Sequence, residues 1–572
     1  MRVNATVKEH LAFLYGGSAA GGLEETVKTL MRKAREARHP AALSGKSELT
    51  EADCMLITYG DQVRAANKRP LQTLTEFLST RAMGVISAVH ILPFCPSSSD
   101  DGFSVMDYYA VDPDLGTWGD VEALGQRFEL MFDAVFNHAS AQGVWFDKFL
   151  RQEPGWETAF FTVSGDPDLS QVVRPRALPL LTEFETAAGT KRVWTTFSAD
   201  QADINFSDPR MLLRILEVLL FYVNKGARYI RLDAIAFLWK IPGTSCLHLE
   251  QTHRVIRLMR TVLDEVAPDV QLITETNVPH ADNISYFGNG SNEAQLVYNF
   301  ALPPLVFHTL RTGDASRLRR WAQTLELPSD RVTFFNFLAS HDGIGMNPAR
   351  GILDQQEIDA LVQTALDHNG FVSYKNNPDG TKSPYELNIS YFDALSNPLG
   401  RESEDTQIAR FLAAHSIMLA LRGLPGIYFH SLFGSRGDRR GAEESGIPRR
   451  INRRKLDFAE VQAELDNPES LRARVFAGVR RMIEARASHP AFSPYAGQEI
   501  PEAPPGLFLT VRNAADGRKV LCLTNVTADP ISYSLPAYGA LAWKPLAGLP
   551  EASSAGEVVR LPPYGVSWFA AA

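Results

Sequence analysis

Short apolar runs alternate with amphipathic stretches along most of the chain. Eight runs indicate buried strands, because a strand that is covered on both faces of a parallel sheet is apolar throughout. In chain order they are "CMLITYG", "SAVHILPF", "ELMFDAVFNH", "ARYIRLDAIAF", "VQLITETNV", "AQLVYNFAL", "RVTFFNFLASHD" and "LPGIYFH". The stretches between them carry helix signals; ahead of "MLLRILEVLLFYVNKG", Asp208 is a predicted N-cap and Pro209 lies in the first turn.

Eight strand–helix units predict the fold class. Strands that alternate with helices pair in parallel through right-handed crossovers. Eight units fit an α/β fold with a closed (β/α)8 TIM barrel better than an open sheet, which periodicity by itself does not exclude. Two connections, after Asn137-His138 and after Asp342, are too long for simple crossovers and predict inserted domains after strands 3 and 7. Short alternating strands near the end, such as "KVLCLTNVT", predict a C-terminal antiparallel β domain.

These patterns divide the chain into predicted domains. The first part is polar, with apolar positions at helical spacing, which is typical of a helical extension on the surface. The predicted boundaries are 1–50 for the N-terminal helical extension, 51–140 for the first part of the catalytic barrel, 141–208 for inserted domain B, 209–342 for the second part of the barrel, 343–405 for the second insertion, 406–490 for the end of the barrel and 491–572 for the C-terminal β domain.

Composition narrows the class of protein. The chain has 572 residues, 45% of them hydrophobic, so it can bury a large core. A formal net charge of −9 and a pI near 5.9 argue against nucleic acid as a partner, since its binders are usually basic. Four scattered cysteines lack metal-ligand spacing and fit buried thiols in a reducing compartment. We find no targeting segment and no apolar run of about 18 residues, and therefore expect a cytoplasmic protein without a membrane span.

Polar side chains cluster where the apolar runs end. Four of the runs end in carboxylate, arginine, histidine or amide groups, and these residues are Asp133, Asn137, His138, Arg231, Asp233, Glu275, His341 and Asp342. The carboxyl ends of barrel strands meet on one face, where barrels build their active sites. A role in stability alone would not concentrate polarity on one rim, so the pattern predicts an active site there.

Three acidic residues from three strands suggest chemistry on glycosidic bonds. Cleaving an acetal needs a proton donor for the leaving oxygen and a carboxylate that faces the anomeric carbon. A third carboxylate raises the pKa of the donor by repulsion. Arg231 lies two residues before Asp233, on the same face of the strand, where it would keep Asp233 ionised.

At these residues the chain resembles a known family. The segments "DAVFNH", "RYIRLDAIAF", "ITETNV" and "FLASHD" resemble, in this order, the four signature segments of the α-amylase superfamily, glycoside hydrolase family 13. The resemblance implies that Asp233 is the nucleophile, Glu275 the general acid/base and Asp342 the transition-state stabiliser. It also implies that a group of side chains surrounds the glucosyl ring, namely His138, Arg231 and His341.

Longer segments resemble the sucrose phosphorylase subfamily, whose members transfer glucose to phosphate. These segments are "PFCPSSSDDGFSVMDYYAV", "VRPRALPLLT", "DAIAFLWKIPGTSC", "LASHDGIG" and "RRINRR". The resemblance implies sugar binding by Asp100, Phe103 and Arg449, phosphate binding by Arg176, and a loop that moves between donor and phosphate binding at Tyr385 and Glu386. Two positions depart from the subfamily: Glu386 stands where Gln is usual, and Phe237 where Tyr is common. Both departures count against fructose as the leaving group.

Other stretches resemble the glucosylglycerate phosphorylases. They include "WTTFSADQADINF", "ITETNVPHADNISYFG" and "FNFLASHDGIGMNPARGIL". The resemblance implies a retaining phosphorylase that converts 2-O-α-D-glucosyl-D-glycerate and phosphate into α-D-glucose 1-phosphate and D-glycerate through a covalent β-glucosyl-enzyme intermediate. Phosphate and glycerate are both anions of similar size, so one cationic subsite could serve both. The candidates in or near the insertions are Arg174, Arg176, Lys240, Lys375 and Lys382.

Several alternatives stay open at this point. The chain could be a phosphorylase of sucrose, sucrose 6′-phosphate or glucosylglycerol, a hydrolase or transglucosidase, or a non-catalytic sugar-binding barrel. The arginine-rich "VRPRALP" favours phosphate over water, and the three carboxylates argue against a non-catalytic barrel. We expect no cofactor and no metal, since Asp100, Asp101 and Asp107 form a weak oxygen-ligand cluster. We expect small-molecule substrates and a monomer or homodimer that binds neither nucleic acid nor membrane.

Overall fold

A closed barrel of eight parallel strands forms the centre of the molecule. The computed structural model describes residues 5–38, 48–176, 178–377, 380–535, 543–549, 553–555 and 558–571. The barrel strands are β1 (Met55–Thr58), β2 (Ala88–Ile91), β3 (Glu129–Ala134), β4 (Ala227–Leu232), β5 (Gln271–Thr274), β6 (Leu296–Tyr298), β7 (Thr333–Phe337) and β8 (Leu424–Tyr428). Each pairs with the next, and β8 pairs with β1. Each predicted apolar run supplies one strand, so the predicted (β/α)8 barrel is confirmed.

Helices surround the barrel. The helices that follow the eight strands are Pro70–Arg81, Trp118–Gly125, Pro209–Asn224, Glu250–Val266, His280–Ile284, Leu302–Thr312, Glu404–Ala420 and Leu471–Ala487. Pro209–Asn224 begins as predicted: the Asp208 carboxylate accepts a hydrogen bond from the Arg210 amide, one of the free amides of the first turn. Shorter helices are Val144–Leu150, Ser316–Ala322, Gln355–Asp367, Tyr391–Leu395, Phe429–Leu432, Arg439–Ser445 and Phe458–Asp466, and 3₁₀ turns are Asp100–Gly102, Ile235–Phe237, Ser285–Phe287, Asn347–Ala349, Pro448–Asn452 and Pro490–Phe492.

The N-terminal helices Val7–Tyr15 and Gly17–Ala37 pack against the barrel helices that follow β3 and β4. Their apolar side chains, among them Leu11, Val27 and Met31, are buried. The first part of the chain therefore forms two helices that lie on the outer helices of the barrel. Parts of it, residues 1–4 and 39–47, lie outside the described residues.

Two insertions follow the carboxyl ends of β3 and β7, as predicted. The first contains the antiparallel pair His138–Ser140 and Gln201–Asp203, and a three-stranded sheet of Thr162–Val163, Gly189–Trp194 and Leu181–Thr186. The second contains the sheet Ile344–Gly345, Lys382–Asn388 and Phe371–Asn376. A further parallel pair joins Val63–Arg64 to Leu456–Asp457. Both insertions thus lie at the end of the barrel to which the polar residues were predicted to point.

The C-terminal region is an antiparallel β domain, as predicted. One sheet orders Gly497–Glu499, Leu507–Asn513, Lys519–Asn525, Val566–Ala571 and Trp543–Leu549, and the other orders Ile531–Ser534, Val558–Leu561 and Ser553–Ala555. The Trp568 indole N–H donates to Ser416 Oγ at 3.0 Å, which ties the domain to the helix after β7. All four cysteines are buried thiols. No helix within the described ranges is long and apolar enough to cross a membrane.

Candidate active site

A cavity of about 290 Å³ opens at the carboxyl ends of the barrel strands, and both insertions contribute to its wall. Asp233, Glu275 and Asp342 line it together. Most of the other predicted site residues line it as well: Asp100, Phe103, His138, Arg174, Arg176, His341, Lys375, Tyr385, Glu386 and Arg449. The fold therefore brings side chains that are far apart in sequence to one volume. We call its carboxylate-bearing bottom the floor and the part formed by the insertions the mouth.

Arg231 lies beneath the floor, with only 3% of its side chain exposed, and holds two carboxylates. Its Nη1 donates to Asp233 Oδ1 at 2.7 Å and also to Asp133 Oδ1. His90 Nε2 lies 2.6 Å from Asp133 Oδ2. Burial acts to raise the pKa of Asp133, but Arg231 and His90 outweigh burial, and the net pKa is lowered. Asp133 therefore stays ionised and fixes Arg231 under Asp233.

The backbone turns sharply after Asp233. β4 ends at Leu232, Ala234 has a left-handed φ of 48°, and Ile235–Phe237 forms a 3₁₀ turn. The strand therefore ends before the apolar run does: Ile235 and Ala236 are apolar because the turn buries them, and Phe237 lines the cavity. Left-handed geometry costs a non-glycine residue about 1–2 kcal/mol. In this protein the left-handed residue Ala234 directly follows Asp233, whose side chain lines the cavity.

Glu275 follows β5 and lies against the backbone that carries Asp233. Arg231 Nη2 is 3.9 Å from Glu275 Oε1, and the Ala234 N–H donates to Glu275 Oε2 at 3.0 Å. Burial raises the pKa of Asp233, the charge of Arg231 acts against this shift, and repulsion from Glu275 adds to it. Burial also raises the pKa of Glu275. Because Arg231 is much closer to Asp233, the geometry favours an anionic Asp233 beside a protonated Glu275.

Asp342 follows β7 and lies among arginines. Arg449 Nη1 is 2.6 Å from Asp342 Oδ1, and Arg453 Nη2 is 3.5 Å from the same oxygen. Burial acts to raise the pKa of Asp342, but Arg449, His341 and Arg453 outweigh burial, and the net pKa is lowered. Asp342 is therefore a second carboxylate of the floor that stays an anion.

Glu386 ties the second insertion to the floor through Arg449. Only 2% of Glu386 is exposed. Arg449 Nε donates to Glu386 Oε2 at 3.0 Å, and Arg449 Nη2 donates to Glu386 Oε1 at 2.5 Å. Burial raises the pKa of the neighbouring Tyr385, so its hydroxyl stays neutral. Since Arg449 also contacts Asp342, the three side chains form one continuous ion-paired group.

A flat aromatic wall flanks the carboxylates. The Phe103 and His341 rings are stacked, with centroids 4.8 Å apart and an interplanar angle of 5°. His138 Nε2 lies 2.9 Å from the backbone oxygen of Phe103, and Gln201 Nε2 donates to the same oxygen at 3.0 Å. Burial lowers the pKa of both His138 and His341, so both imidazoles are neutral at pH 7. A neutral wall with a few polar edges suits a sugar ring.

The loop that presents Asp100 to the cavity is built on left-handed residues. Asp100, Asp101 and Gly102 have φ values of 51°, 48° and 115°. A Cβ at Gly102 would lie 2.7 Å from the Pro93 backbone oxygen, so this position requires glycine.

Within the described ranges, no group of three or more His, Cys, Asp or Glu side chains is arranged to hold a metal ion.

Asp101 anchors this loop through two arginines. Arg450 Nη2 and Arg453 Nη1 each lie 2.7 Å from an oxygen of Asp101. Burial acts against the charge, but the two arginines outweigh burial and lower the pKa of Asp101 to about 2. The anchor is therefore fully ionised at neutral pH.

Four basic side chains line the mouth: Arg174, Arg176, Arg350 and Lys375. None of them forms an ion pair with any other residue that the structure describes. Two other predicted cations lie elsewhere, and neither lines the cavity. Lys240 Nζ is buried 2.6 Å from Asp203 Oδ2, and Lys382 is exposed on the strand Lys382–Asn388. These two lysines therefore do not join the cationic subsite that the sequence predicts.

Several cavity residues were not predicted. They include the polar side chains Gln201, Asn277, Asn347 and Arg350 and the rings of Phe197 and Phe300. Arg350 had a detectable signal, because it lies in the second long insertion, where function was expected. The amides and rings belong to no motif, and only the fold brings them to the cavity.

Comparison with known proteins identifies the family. Residues 76–344 match the α-amylase catalytic domain, and residues 510–569 match the C-terminal immunoglobulin-like domain of D-apionate lactonase. A glucosylglycerate phosphorylase from Allomeiothermus silvanus is 54% identical to this chain, and the alignment covers 92% of this chain and 93% of that protein. A glucosylglycerate phosphorylase from Escherichia coli is 46% identical to this chain, and the alignment covers 91% of this chain and 93% of that protein.

A solved structure shares the fold. The crystal structure of sucrose 6F-phosphate phosphorylase from Thermoanaerobacter thermosaccharolyticum matches with a TM-score of 0.72 at 22% identity, over 85% of this chain and 96% of that chain. At an identity this low, the match shows a similar fold only. Taken with the sequence relatives, it leads to one conclusion: the chain belongs to the α-amylase superfamily, glycoside hydrolase family 13, and within it to the family of the glucosylglycerate phosphorylases.

Proposed function

We propose that this chain is a retaining glycoside phosphorylase that catalyses the reversible phosphorolysis of 2-O-α-D-glucosyl-D-glycerate. The products are α-D-glucose 1-phosphate and D-glycerate, and the reaction passes through a covalent β-glucosyl-enzyme intermediate. One observation carries most weight: carboxylates that share one buried arginine lie below basic side chains that have no ion-pair partner among the described residues. Membership of the family supports the choice of substrate.

In the first half-reaction, Asp233 is the nucleophile and Glu275 the acid. Asp233 bonds to the anomeric carbon while the bond to the glycerate 2-oxygen breaks, and Glu275 gives its proton to that oxygen. The raised pKa of Glu275, caused first by burial, supports its role as the acid. Arg231, at 2.7 Å, supports the ionised state of Asp233. Asp342, held ionised by Arg449, stabilises the positive charge that develops on the sugar ring.

In the second half-reaction, phosphate replaces glycerate in the mouth. A phosphate oxygen attacks the anomeric carbon, its proton passes to Glu275, and the bond to Asp233 breaks. Arg174, Arg176 and Lys375 are the groups that hold phosphate in this proposal, because guanidinium and ammonium donors match its charge. His138, Phe103 and the other wall residues hold the glucosyl ring in both steps.

The mouth also argues against those alternatives that involve water or a neutral leaving group. Water carries no charge, so a hydrolase or transglucosidase has no use for unpaired basic groups at this place. Phosphorolysis of sucrose or glucosylglycerol releases a neutral leaving group, so these two reactions need cations only in the phosphate step. Glycerate and phosphate both need them, so a cationic mouth is used in both directions.

The test is an assay for glucose 1-phosphate. The protein is incubated with phosphate and, separately, with glucosylglycerate, sucrose, sucrose 6′-phosphate or glucosylglycerol. We expect release from glucosylglycerate at a kcat/KM at least 10²-fold above that for the other donors. Release from sucrose alone would refute the glycerate assignment, and glucose without glucose 1-phosphate would refute the phosphorylase.

A further inference from the structure

The second insertion contributes an arginine with free donors to the mouth. Arg350 Nε and Nη2 are buried and have no hydrogen-bond partner in the part of the chain that the structure describes. Arg350 lies on the cavity wall directly after the 3₁₀ turn Asn347–Ala349. Its backbone N–H donates to the Asn347 backbone oxygen at 3.1 Å. Leaving guanidinium donors unsatisfied away from water costs free energy, so donors in this state are expected where an anion binds.

Two amide groups with free acceptor oxygens share this wall. Asn347 Oδ1 and Asn277 Oδ1 are buried, and neither has a hydrogen-bond partner among the described residues. Asn347 begins the 3₁₀ turn and Arg350 directly follows it, and both side chains line the cavity. Asn277 packs on the strand Ile344–Gly345 of the same insertion, since a Cβ at Gly345 would lie 2.8 Å from its Oδ1. This wall therefore offers donors and acceptors together.

The wall from the first insertion differs in chemistry. Its segment 173–176 presents Arg174 and Arg176 together with Val173 and Pro175, so the side chains of this segment are donors or apolar groups. Phosphate is a compact anion whose whole surface is oxygen, and it matches a wall of donors. Glycerate carries a carboxylate and, on carbon 3, a hydroxyl that needs an acceptor, and it matches the wall of Arg350.

We propose that Arg350 is the residue that selects D-glycerate, by binding its carboxylate through two parallel hydrogen bonds while Asn347 and Asn277 accept from the hydroxyl on carbon 3. This assignment, which rests on the proposed function, divides the cationic subsite in two: Arg350 holds the leaving group, and Arg174 and Arg176, together with Lys375, hold phosphate. Burial and the charge of Arg350 lower the pKa of Lys375. Lys375 therefore lies within electrostatic reach of Arg350.

A competition between acceptors tests this division. With α-D-glucosyl fluoride as donor, Asp233 displaces fluoride, and D-glycerate and phosphate then compete for one glucosyl-enzyme in the same tube. The ratio of glucosylglycerate to glucose 1-phosphate is measured at equal acceptor concentrations. For Arg350→Gln we expect this ratio to fall by about 10²-fold or more, since a charge-assisted bidentate pair is lost for one acceptor. For Arg176→Gln we expect the ratio to rise, and for Arg350→Lys a fall smaller than that for Arg350→Gln.

A product ratio does not depend on how much of a variant folds, so a partly unfolded variant still gives a result. The matched control is Arg127→Gln, an exposed arginine just before β3 at the opposite end of the barrel, which must leave the ratio unchanged. An unchanged or increased ratio for Arg350→Gln would overturn the assignment while leaving the proposed function intact. If the wild type forms glucose 1-phosphate but no glucosylglycerate, both the glycerate substrate and the role of Arg350 are wrong. If the wild type forms neither product, the phosphorylase proposal fails as well.

Discussion

The floor and the mouth of the cavity both contain charged side chains. Those of the floor form ion pairs with one another, whereas the basic side chains of the mouth form none with the residues that the structure describes. On the floor, Arg231 pairs with Asp133 and Asp233, and Arg449 pairs with Asp342 and Glu386. In the mouth, the basic side chains have no ion-pair partner within the described ranges. The chain as a whole has a net charge of −9, so the lack of ion-pair partners for these basic side chains, among the described residues, does not follow from composition.

This difference separates two tasks. A charge with partners on both sides is fixed in position, so the floor presents one preorganised geometry to every glucosyl ring. In the proposed reaction, a basic side chain without an ion-pair partner in the protein is left to pair with glycerate and phosphate in turn, so the mouth would gain binding free energy from both anions. Changes on the floor should therefore affect the chemical step, and changes in the mouth should affect which anion is used.

The largest expected effect is on the floor, at the proposed nucleophile. Asp233→Asn removes the group that bonds to the anomeric carbon, so we expect kcat to fall by about 10⁴-fold or more. The measurement is the initial rate of glucose 1-phosphate formation, with circular dichroism to check folding. Asp330→Asn, an exposed aspartate before β7, is the control and should keep full activity. A folded Asp233→Asn variant with more than a tenth of wild-type kcat would remove Asp233 from the mechanism.

In the mouth, Arg176→Ala is expected to change acceptor use and leave the chemical step largely intact. We expect the KM for phosphate to rise about 10–10²-fold, because a charge-assisted pair to phosphate is lost. The glucosyl-enzyme still forms, so slow release of glucose should persist. Steady-state kinetics with varied phosphate measures the effect, and Arg127→Ala serves as the control. An unchanged KM for phosphate would contradict the role of Arg176.

Glu386→Gln tests the link between the two regions. The amide keeps one acceptor for Arg449 but loses the charge, and neutral hydrogen bonds are about half as strong as charge-assisted ones. We therefore expect a loss of about 10-fold in kcat/KM for glucosylglycerate. The matched control is Glu402→Gln, which alters the Arg410–Glu402 pair away from the cavity and should change kcat/KM less than twofold. A gain in activity would mean that the Glu386–Arg449 pair restrains the site.

The barrel and its rim could be predicted from sequence because both depend on local patterns. A strand buried on both faces leaves a continuous apolar run, and a polar residue at its end lies on the catalytic face. Where the run continues past the strand, as from Asp233 to Phe237, periodicity cannot separate a strand from a buried turn. Arg350 was missed for a related reason: a single arginine in a polar insertion resembles a solvated surface charge. Only the folded structure shows that its donors are buried.

The smallest expected effect concerns stability at the edge of the floor. Asp101 has a pKa of about 2, below its usual 3.8, because Arg450 and Arg453 outweigh burial. A lowered pKa stabilises the fold above pH 3.8, and this stabilisation is lost as the pH falls through about 2. Asp101→Asn should therefore reduce the free energy of unfolding by about 2 kcal/mol at pH 7 and by about 1 kcal/mol at pH 3. Urea unfolding at both pH values, with Asp166→Asn as an exposed control, measures the difference. A loss that is equal at both pH values would show that Asp101 acts by packing, and that the ion pairs around the floor hold their geometry without contributing net stability.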